Sequence, residues 1–163
     1  MKSSLLRTDE ELSQLYDRHV NTVYRVCFMY MKNRHDTEDM VQNTFIRLLK
    51  DQTAFENTEH EKAWLIRTAT NLCKDFFKRW WTRKVSLKNE AIEVVEVPFK
   101  IDETLSKVMA LPSKYKTAIY MYYYEGYTTV DIAKILNKKE STIRSHLYTA
   151  RQRLKIEIKR DEV

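Results

Sequence analysis

Apolar residues recur along most of the chain at the three- and four-residue spacing of amphipathic helices. Leu12, Leu15, Tyr16, Val20, Val23, Tyr24, Cys27 and Met31 form one such stripe, which predicts a first helix over Asp9–Met31. Thr8 is placed to cap it, and Glu11, three residues on, completes a capping-box pattern. The polar run KNRHD interrupts the period. Asp36 or Thr37 then caps a second helix, TEDMVQNTFIRLLKD, with Val41, Phe45 and Leu48 inward. QTAFENTEHE is polar and aperiodic and reads as a loop. A third helix follows over residues 62–83. In it Leu65, Ala69, Leu72 and Phe76 share a buried face, while Arg67, Asn71, Lys74 and Lys78 repeat at the same spacing as a basic, polar ridge.

The period then stops. Residues 85–103 are acidic, contain Pro98 and show no helical repeat, the signature of a flexible linker. The alternation in IEVVEVPF also fits a short edge strand, but the sequence offers it no partner. Helical patterning resumes with TLSKVMALP, which Pro112 ends. SKYKTAIYMYYYEG follows, with Ser113 as cap and Gly126 as stop. TTVDIAKIL and a long final helix, KKESTIRSHLYTARQRLKIEIKR, complete the chain. The expected fold is all-α, two small helical modules over residues 1–84 and 104–163 joined by a flexible linker over 85–103.

The last two helices carry the strongest chemical signal. A helix-turn-helix needs a short helix, a tight turn and a second helix whose N-terminal end enters the major groove. Thr128 or Thr129 caps the first helix, and Asp131 favours its positive end. Ile132, Ala133 and Leu136 face inward, and Asn137 tolerates the left-handed conformation that such a turn requires. In the second helix Ile143, Leu147, Ala150 and Leu154 are inward. Ser141, Thr142, Arg144, Ser145, Tyr148 and Arg151 are outward, where arginine reaches guanine and hydroxyls reach bases or phosphates. Lys134, Lys138, Lys139, Arg153 and Lys155 are placed for phosphate.

Charge strengthens this picture through its distribution. The net charge is +6 over 163 residues. It runs −5 over residues 9–61, +7 over 62–88, −4 over 89–103 and +6 over 128–160. Two basic blocks separated by an acidic stretch imply two contacts with a phosphate backbone. One glycine and two prolines exclude a sandwich, a barrel or a glycine-rich phosphate loop. Cys27 and Cys73 fall among apolar helix positions and read as buried thiols of a reducing compartment. The four histidines show no ligand spacing, so neither a metal nor another cofactor is expected. No apolar run approaches membrane-spanning length and MKSSLLRTDEEL lacks a signal-peptide core, which implies a cytoplasmic protein with no membrane insertion.

Residues 111–154, LPSKYKTAIYMYYYEGYTTVDIAKILNKKESTIRSHLYTARQRL, resemble region 4 of bacterial sigma factors, specifically the small extracytoplasmic-function (ECF) group. DTEDMVQNTFIRLLKD and FENTEHEKAWLIRTATNLCKDFFKR resemble region 2 of the same group. Both motifs, in order, cover nearly the whole chain. The resemblance implies a non-enzymatic initiation factor for stress or envelope responses, whose partners are core RNA polymerase, through its β′ and β subunits, and promoter DNA. A membrane-bound anti-sigma factor is a further expected partner, and no small-molecule substrate is implied. By resemblance, Asp36, Glu38, Asp39, Gln42, Asn43 and Phe45 would dock on polymerase. The loop over residues 55–62 and the helix residues Trp64, Arg67, Asn71, Lys74, Asp75, Lys78 and Arg79 would recognise the −10 element and hold an extruded base. Cations for phosphates and flat faces for bases suit that task. Phe76 lies on the apolar stripe and reads as core, whereas Trp64, Trp80 and Trp81 stay open between packing and stacking. Ser141, Thr142, Arg144, Ser145, Tyr148 and Arg151 would read the −35 element. The chain departs from the family where Asn137 replaces a frequent glycine, Lys138 an apolar residue and Thr149 an arginine. The acidic linker would thread toward the polymerase cleft; an ordinary solvated tether fits its composition equally.

Three other classes predict different sequences. A plain helix-turn-helix regulator would carry one basic block and usually an α/β sensory half. A nuclease would show a carboxylate cluster or a nucleophile–base pair. An antagonist that only grips polymerase would lack a credible recognition helix.

Overall fold

The structure is a computed structural model that describes residues 7–83 and 103–161, including side chains except those of residues 80–83 and 156–161. The side chains of Trp80 and Trp81, and residues 85–102 of the expected linker, therefore lie outside the described residues. Among the described residues all regular structure is helical: α1 (Asp9–Met31), α2 (Arg34–Lys50), α3 (Thr58–Arg83), α4 (Glu103–Met109), α5 (Ser113–Tyr123), α6 (Thr129–Leu136) and α7 (Glu140–Asp161). They divide into two compact units, α1–α3 and α4–α7.

In the first unit each helix packs against the other two. The capping box forms as the sequence implies: Glu11 N–H donates to Thr8 Oγ1 at 3.1 Å, and Thr8 N–H to Glu11 Oε2 at 2.8 Å. Two expected helix starts are corrected. Helix α2 begins at Arg34, capped by Asn33 rather than by Asp36 or Thr37. Lys32 turns left-handed at φ 63°, which reverses the chain in two residues and delivers the Asn33 side chain to Asp36 N–H at 2.8 Å. Helix α3 begins at Thr58, four residues earlier than the apolar period suggests, because Asn57 Oδ1 accepts from His60 N–H at 2.8 Å. Glu59 and Glu61 then occupy a first turn that favours acidic groups.

The single stripe expected on α1 is also too narrow. Its last six residues, VCFMYM, are buried all round, whereas Tyr16 at the other end is 44% exposed. Leu48, Leu65, Ile66, Ala69 and Cys73 complete the core from α2 and α3. Phe45, Leu72 and Phe76, expected inward, are only half-buried. One buried polar tie crosses this core. His19 Nε2 lies 3.1 Å from Glu61 Oε1, and Arg18 donates to the same carboxylate at 3.1 Å. A histidine only 3% exposed needs such a partner, since an unmatched buried polar group is destabilising.

In the second unit α5 is central, with residues 115–121 buried on every face. Its N-cap is Pro112 and Ser113 is its first helical residue, which corrects the expected serine cap. Gly126 does reverse the chain beyond α5, at φ +75°, and Tyr127 N–H returns to Met121 O at 3.1 Å. A β-carbon there would meet nothing within 4 Å, so the backbone conformation alone favours glycine. Helices α6 and α7 pack on each other and on α5.

Candidate nucleic-acid interface

The turn between α6 and α7 sets the geometry of the reading head. Thr128 caps α6, its hydroxyl accepting from Asp131 N–H at 3.1 Å while Asp131 reaches back to Thr128 N–H. Asn137 adopts the left-handed conformation, φ 54° and ψ 52°, as its residue type allows. Lys138 N–H then closes on Ala133 O at 2.9 Å, satisfying a helix-end carbonyl. Across the turn Thr129 Oγ1 donates to Glu140 Oε1 at 3.1 Å, which ties the starts of the two helices together.

This arrangement fixes which way α7 faces. Ile143, Leu147 and Ala150 are at most 1% exposed, and Leu154 is half-buried. On the other side Ser141, Arg144, Ser145 and Tyr148 are exposed at i, i+3, i+4 and i+7, one continuous face over the first two turns. Thr142 sits half-buried at its edge. The Arg144 side chain is 64% exposed, and among the described residues the one charged group beside it is the Glu140 carboxylate at 3.9 Å. Arg151 is placed differently. Its Nε donates to Tyr123 Oη at 2.8 Å, and its guanidinium lies 5.4 Å from the Tyr122 ring centre and 5.9 Å from that of Tyr123. The sequence groups Arg144 and Arg151 on one face; the structure leaves the first extended and engages the second with α5. Lys134, Lys138 and Lys139 are exposed at and beside the turn.

In the first unit α3 presents Arg67, Asn71, Asp75, Lys78 and Arg79 to solvent, with Lys74 half-buried. The ridge is thus basic with one acidic interruption. Trp64 lies half-buried at its N-terminal end, where the α2–α3 loop packs on it. The Phe55 ring meets Trp64 edge-on at 5.8 Å and His60 edge-on at 5.2 Å, while the Arg7 guanidinium covers it at 4.7 Å. Trp64 therefore packs without being buried, against the expected loop residue Phe55, and Arg7 joins the neighbourhood. The isolated arginine before the first cap gives no periodic signal of this role.

The acidic face expected on α2 is partly rearranged by the earlier helix start. Asp36 takes Asn33 Nδ2 at 2.9 Å and so belongs to the cap. Glu38 pairs with Arg34 at 2.8 Å, and His35 lies 3.6 Å from Asp39. His35, Asp36 and Asp39 bring one ligand atom each within 4.8 Å, although Asp36 is already engaged by Asn33. Phe45 leans against Tyr16, ring centres 4.8 Å apart. Gln42 and Asn43 are exposed, and the face continues into Ile46 and Leu49, which are 45% and 58% exposed. Pattern reading missed these two residues; their signal was the i+7 and i+10 spacing from Asp39 on a helix whose inward set lies elsewhere. Behind the face, burial raises the Tyr24 hydroxyl's pKa, Glu38 adding to the shift and Arg34 opposing it.

No helix among the described residues is long and apolar enough to cross a membrane. Comparison with known proteins matches residues 15–82 to Sigma-70 region 2 and residues 101–154 to Sigma-70 region 4, together about three quarters of the chain. The ECF RNA polymerase sigma factor SigM of Bacillus subtilis is 29% identical over 88% of this chain and 93% of its own. SigW of the same organism is 23% identical over 92% and 90%. Among solved structures, the sigma factor RpoE of Bartonella quintana, in complex with the anti-sigma factor NepR, superposes with a TM-score of 0.71 at 21% identity, covering 90% of this chain and 96% of that one, a likeness of fold. With both family regions in order and the helical reading head between Thr129 and the exposed face of α7, the chain belongs to the sigma-70 family as an ECF-type sigma factor, a transcription initiation factor that directs RNA polymerase to promoters.

Proposed function

We propose that the two units divide promoter recognition between them, residues 1–84 binding core polymerase and the −10 element and residues 104–163 the −35 element, with 85–103 as the tether. The observation that carries this reading is the exposed row Ser141, Arg144, Ser145 and Tyr148 at the N-terminal end of α7, set by the Asn137 turn. That is the part of a recognition helix that meets base edges. Arg144 and the hydroxyls beside it read bases, with Thr142 at the edge. Arg151, engaged by Tyr123, serves the phosphate backbone, as do Lys134, Lys138 and Lys139.

On α3, Arg67, Asn71, Lys74, Lys78 and Arg79 follow the unpaired non-template strand, and Trp64 with the neighbouring loop receives an extruded base. On α2, Glu38, Asp39, Gln42 and Asn43 supply the polar part of the polymerase contact, with Asp36 and Phe45 supporting them through the cap and Tyr16. Ile46 and Leu49 supply its apolar part, since exposed apolar residues beside a polar rim mark contact surfaces. The protein acts in the cytoplasm, where polymerase works. It adds no catalytic step of its own and requires no cofactor. An anti-sigma factor that covers these faces is part of the proposal, supported by RpoE having been captured with NepR.

The test is transcription by purified bacterial core polymerase on fragmented source-genome DNA, with and without the full chain. Discrete new 5′ ends that depend on the protein, sharing two spaced elements upstream, are the expected result. Specific duplex binding with no polymerase binding and no initiation would instead make the chain a stand-alone regulator.

A further inference from the structure

The α2–α3 loop has little regular structure of its own, yet three of its residues are held by a side chain from far upstream. Asp51 N–H closes α2 on Arg47 O at 3.0 Å. Asp51 Oδ1 accepts from Thr53 N–H at 2.8 Å and from the Thr53 hydroxyl, which folds the loop's first turn. Arg7 then reaches both carbonyls of that turn: Nη1 donates to Asp51 O at 3.4 Å and Nη2 to Thr53 O. The same guanidinium lies over the Phe55 ring, which His60 and Trp64 enclose edge-on. His60 Nδ1 accepts from Glu56 N–H at 3.1 Å, securing the loop's far end to α3.

Only arginine can do all of this at once. Its planar group offers several donors in a fixed fork and a flat cationic face for an aromatic ring, whereas lysine offers one compact charge. Meanwhile Gln52, Ala54, Glu56 and Asn57 remain exposed along the rim. A loop that must receive a single base gains little contact energy from it, so any ordering left until binding directly weakens capture.

We propose that Arg7 is a positioning residue for promoter opening: it clamps the first turn of the 51–57 loop and the Phe55 ring within that loop, so that the exposed rim meets an unpaired DNA base already formed. This rests on the reading of α3 and its loop as the single-strand face. It adds a determinant outside both recognised helices, contributed by the residue preceding the α1 cap.

The experiment uses holoenzyme assembled from the full chain and a fluorescent single-stranded non-template oligonucleotide spanning the −10 region of a promoter mapped by the transcription assay. Wild type, Arg7→Ala and Arg7→Lys are compared for oligonucleotide affinity, core polymerase affinity, −35 duplex affinity and melting temperature. Both variants should bind the oligonucleotide about tenfold more weakly, as expected when roughly one more backbone residue must be ordered on binding. Core polymerase and −35 duplex affinity should stay at wild-type values, the melting temperature should fall by no more than a few degrees, and amide exchange at Thr53 and Glu56, both hydrogen-bonded loop amides, should accelerate. Wild-type affinity in Arg7→Ala would overturn the proposal. So would full rescue by Arg7→Lys, which would make Arg7 a simple phosphate contact, or parallel losses of melting temperature and core binding, which would make it a structural prop. Failure of the wild-type holoenzyme itself to bind the oligonucleotide would remove the single-strand reading, a result distinct from the other three.

Discussion

The two arginines of α7 that a sequence pattern treats alike should behave differently on DNA. Arg144 is exposed and its one carboxylate neighbour stands 3.9 Å away, a pair that contributes only a few tenths of a kcal/mol at such a surface. Arg144→Ala should therefore change stability by less than about 0.5 kcal/mol. If Arg144 reads a base, its loss should weaken binding to the −35 duplex by about 1–3 kcal/mol, roughly 5- to 150-fold. Discrimination should collapse at one base pair. Arg151 starts from a lower energy in the free protein. To reach a base it must give up the Tyr123 hydrogen bond, about 0.5–1.5 kcal/mol, and the aromatic faces beneath it, about 0.5–1 kcal/mol more. Those losses nearly cancel what a bidentate base contact contributes.

Arg151→Ala should accordingly weaken all duplexes alike, by no more than about tenfold, and lower the slope of log affinity against log salt by about 0.9, the signature of one phosphate contact. Fluorescence anisotropy measures both, with the full chain and a set of duplexes singly substituted across the −35 element at several salt concentrations. An equal loss for Arg144→Ala on every duplex would move that residue to the phosphate backbone. A base-specific loss for Arg151→Ala larger than that for Arg144→Ala would refute the reasoning, because it would show that the Tyr123 tether does not restrain Arg151 in the complex.

The remaining predictions concern the scaffold and the polymerase face. Glu61→Ala leaves the buried His19 without its carboxylate and should destabilise the first unit by about 1–3 kcal/mol in urea unfolding, with Glu61→Gln affected less because its amide oxygen still accepts. Asn137→Ala should lower stability by about 1 kcal/mol while Asn137→Gly holds or raises it, as φ 54° penalises a β-carbon; thermal unfolding decides, and equal values for the two variants would contradict the strain argument. Leu49→Asp places a charge on a side chain already 58% exposed, so the melting temperature should hold while core polymerase affinity falls by about tenfold or more, the scale of a central interface residue. Unchanged affinity in a pull-down titration would take Leu49 off the contact face.

Much of this arrangement was legible because local rules and packing agree. The capping box at Thr8 and Glu11, the cap at Thr128 and the left-handed Asn137 each follow from side-chain chemistry within a few residues. The inward set of α7 follows from period alone. Where expectation and structure part, a short-range polar contact has overridden the apolar period. Asn33 and Asn57 start their helices early, because each supplies the acceptor that the first free N–H groups need. A stripe analysis weighs only apolar positions and cannot register an asparagine cap ahead of the stripe. The burial of VCFMYM on all faces shows the same limit in reverse, since a continuous apolar run carries no phase.

Long-range polar contacts are the class that no pattern reaches. Arg7 to Asp51 and Thr53, His19 to Glu61, and Arg151 to Tyr123 join residues 28 to 46 positions apart. Each engages a residue whose type and position in the sequence gave no sign of its partner. Their effect on function differs from that of the helices. The helices decide where a face lies, and the hydrogen-bonded side chains decide which members of that face are free to leave it for DNA. Among the described residues Arg144 has only the distant Glu140 to surrender and Arg151 has two aromatic rings and a hydroxyl, so the same residue type, seven positions apart on one helix, would leave the protein surface on unequal terms.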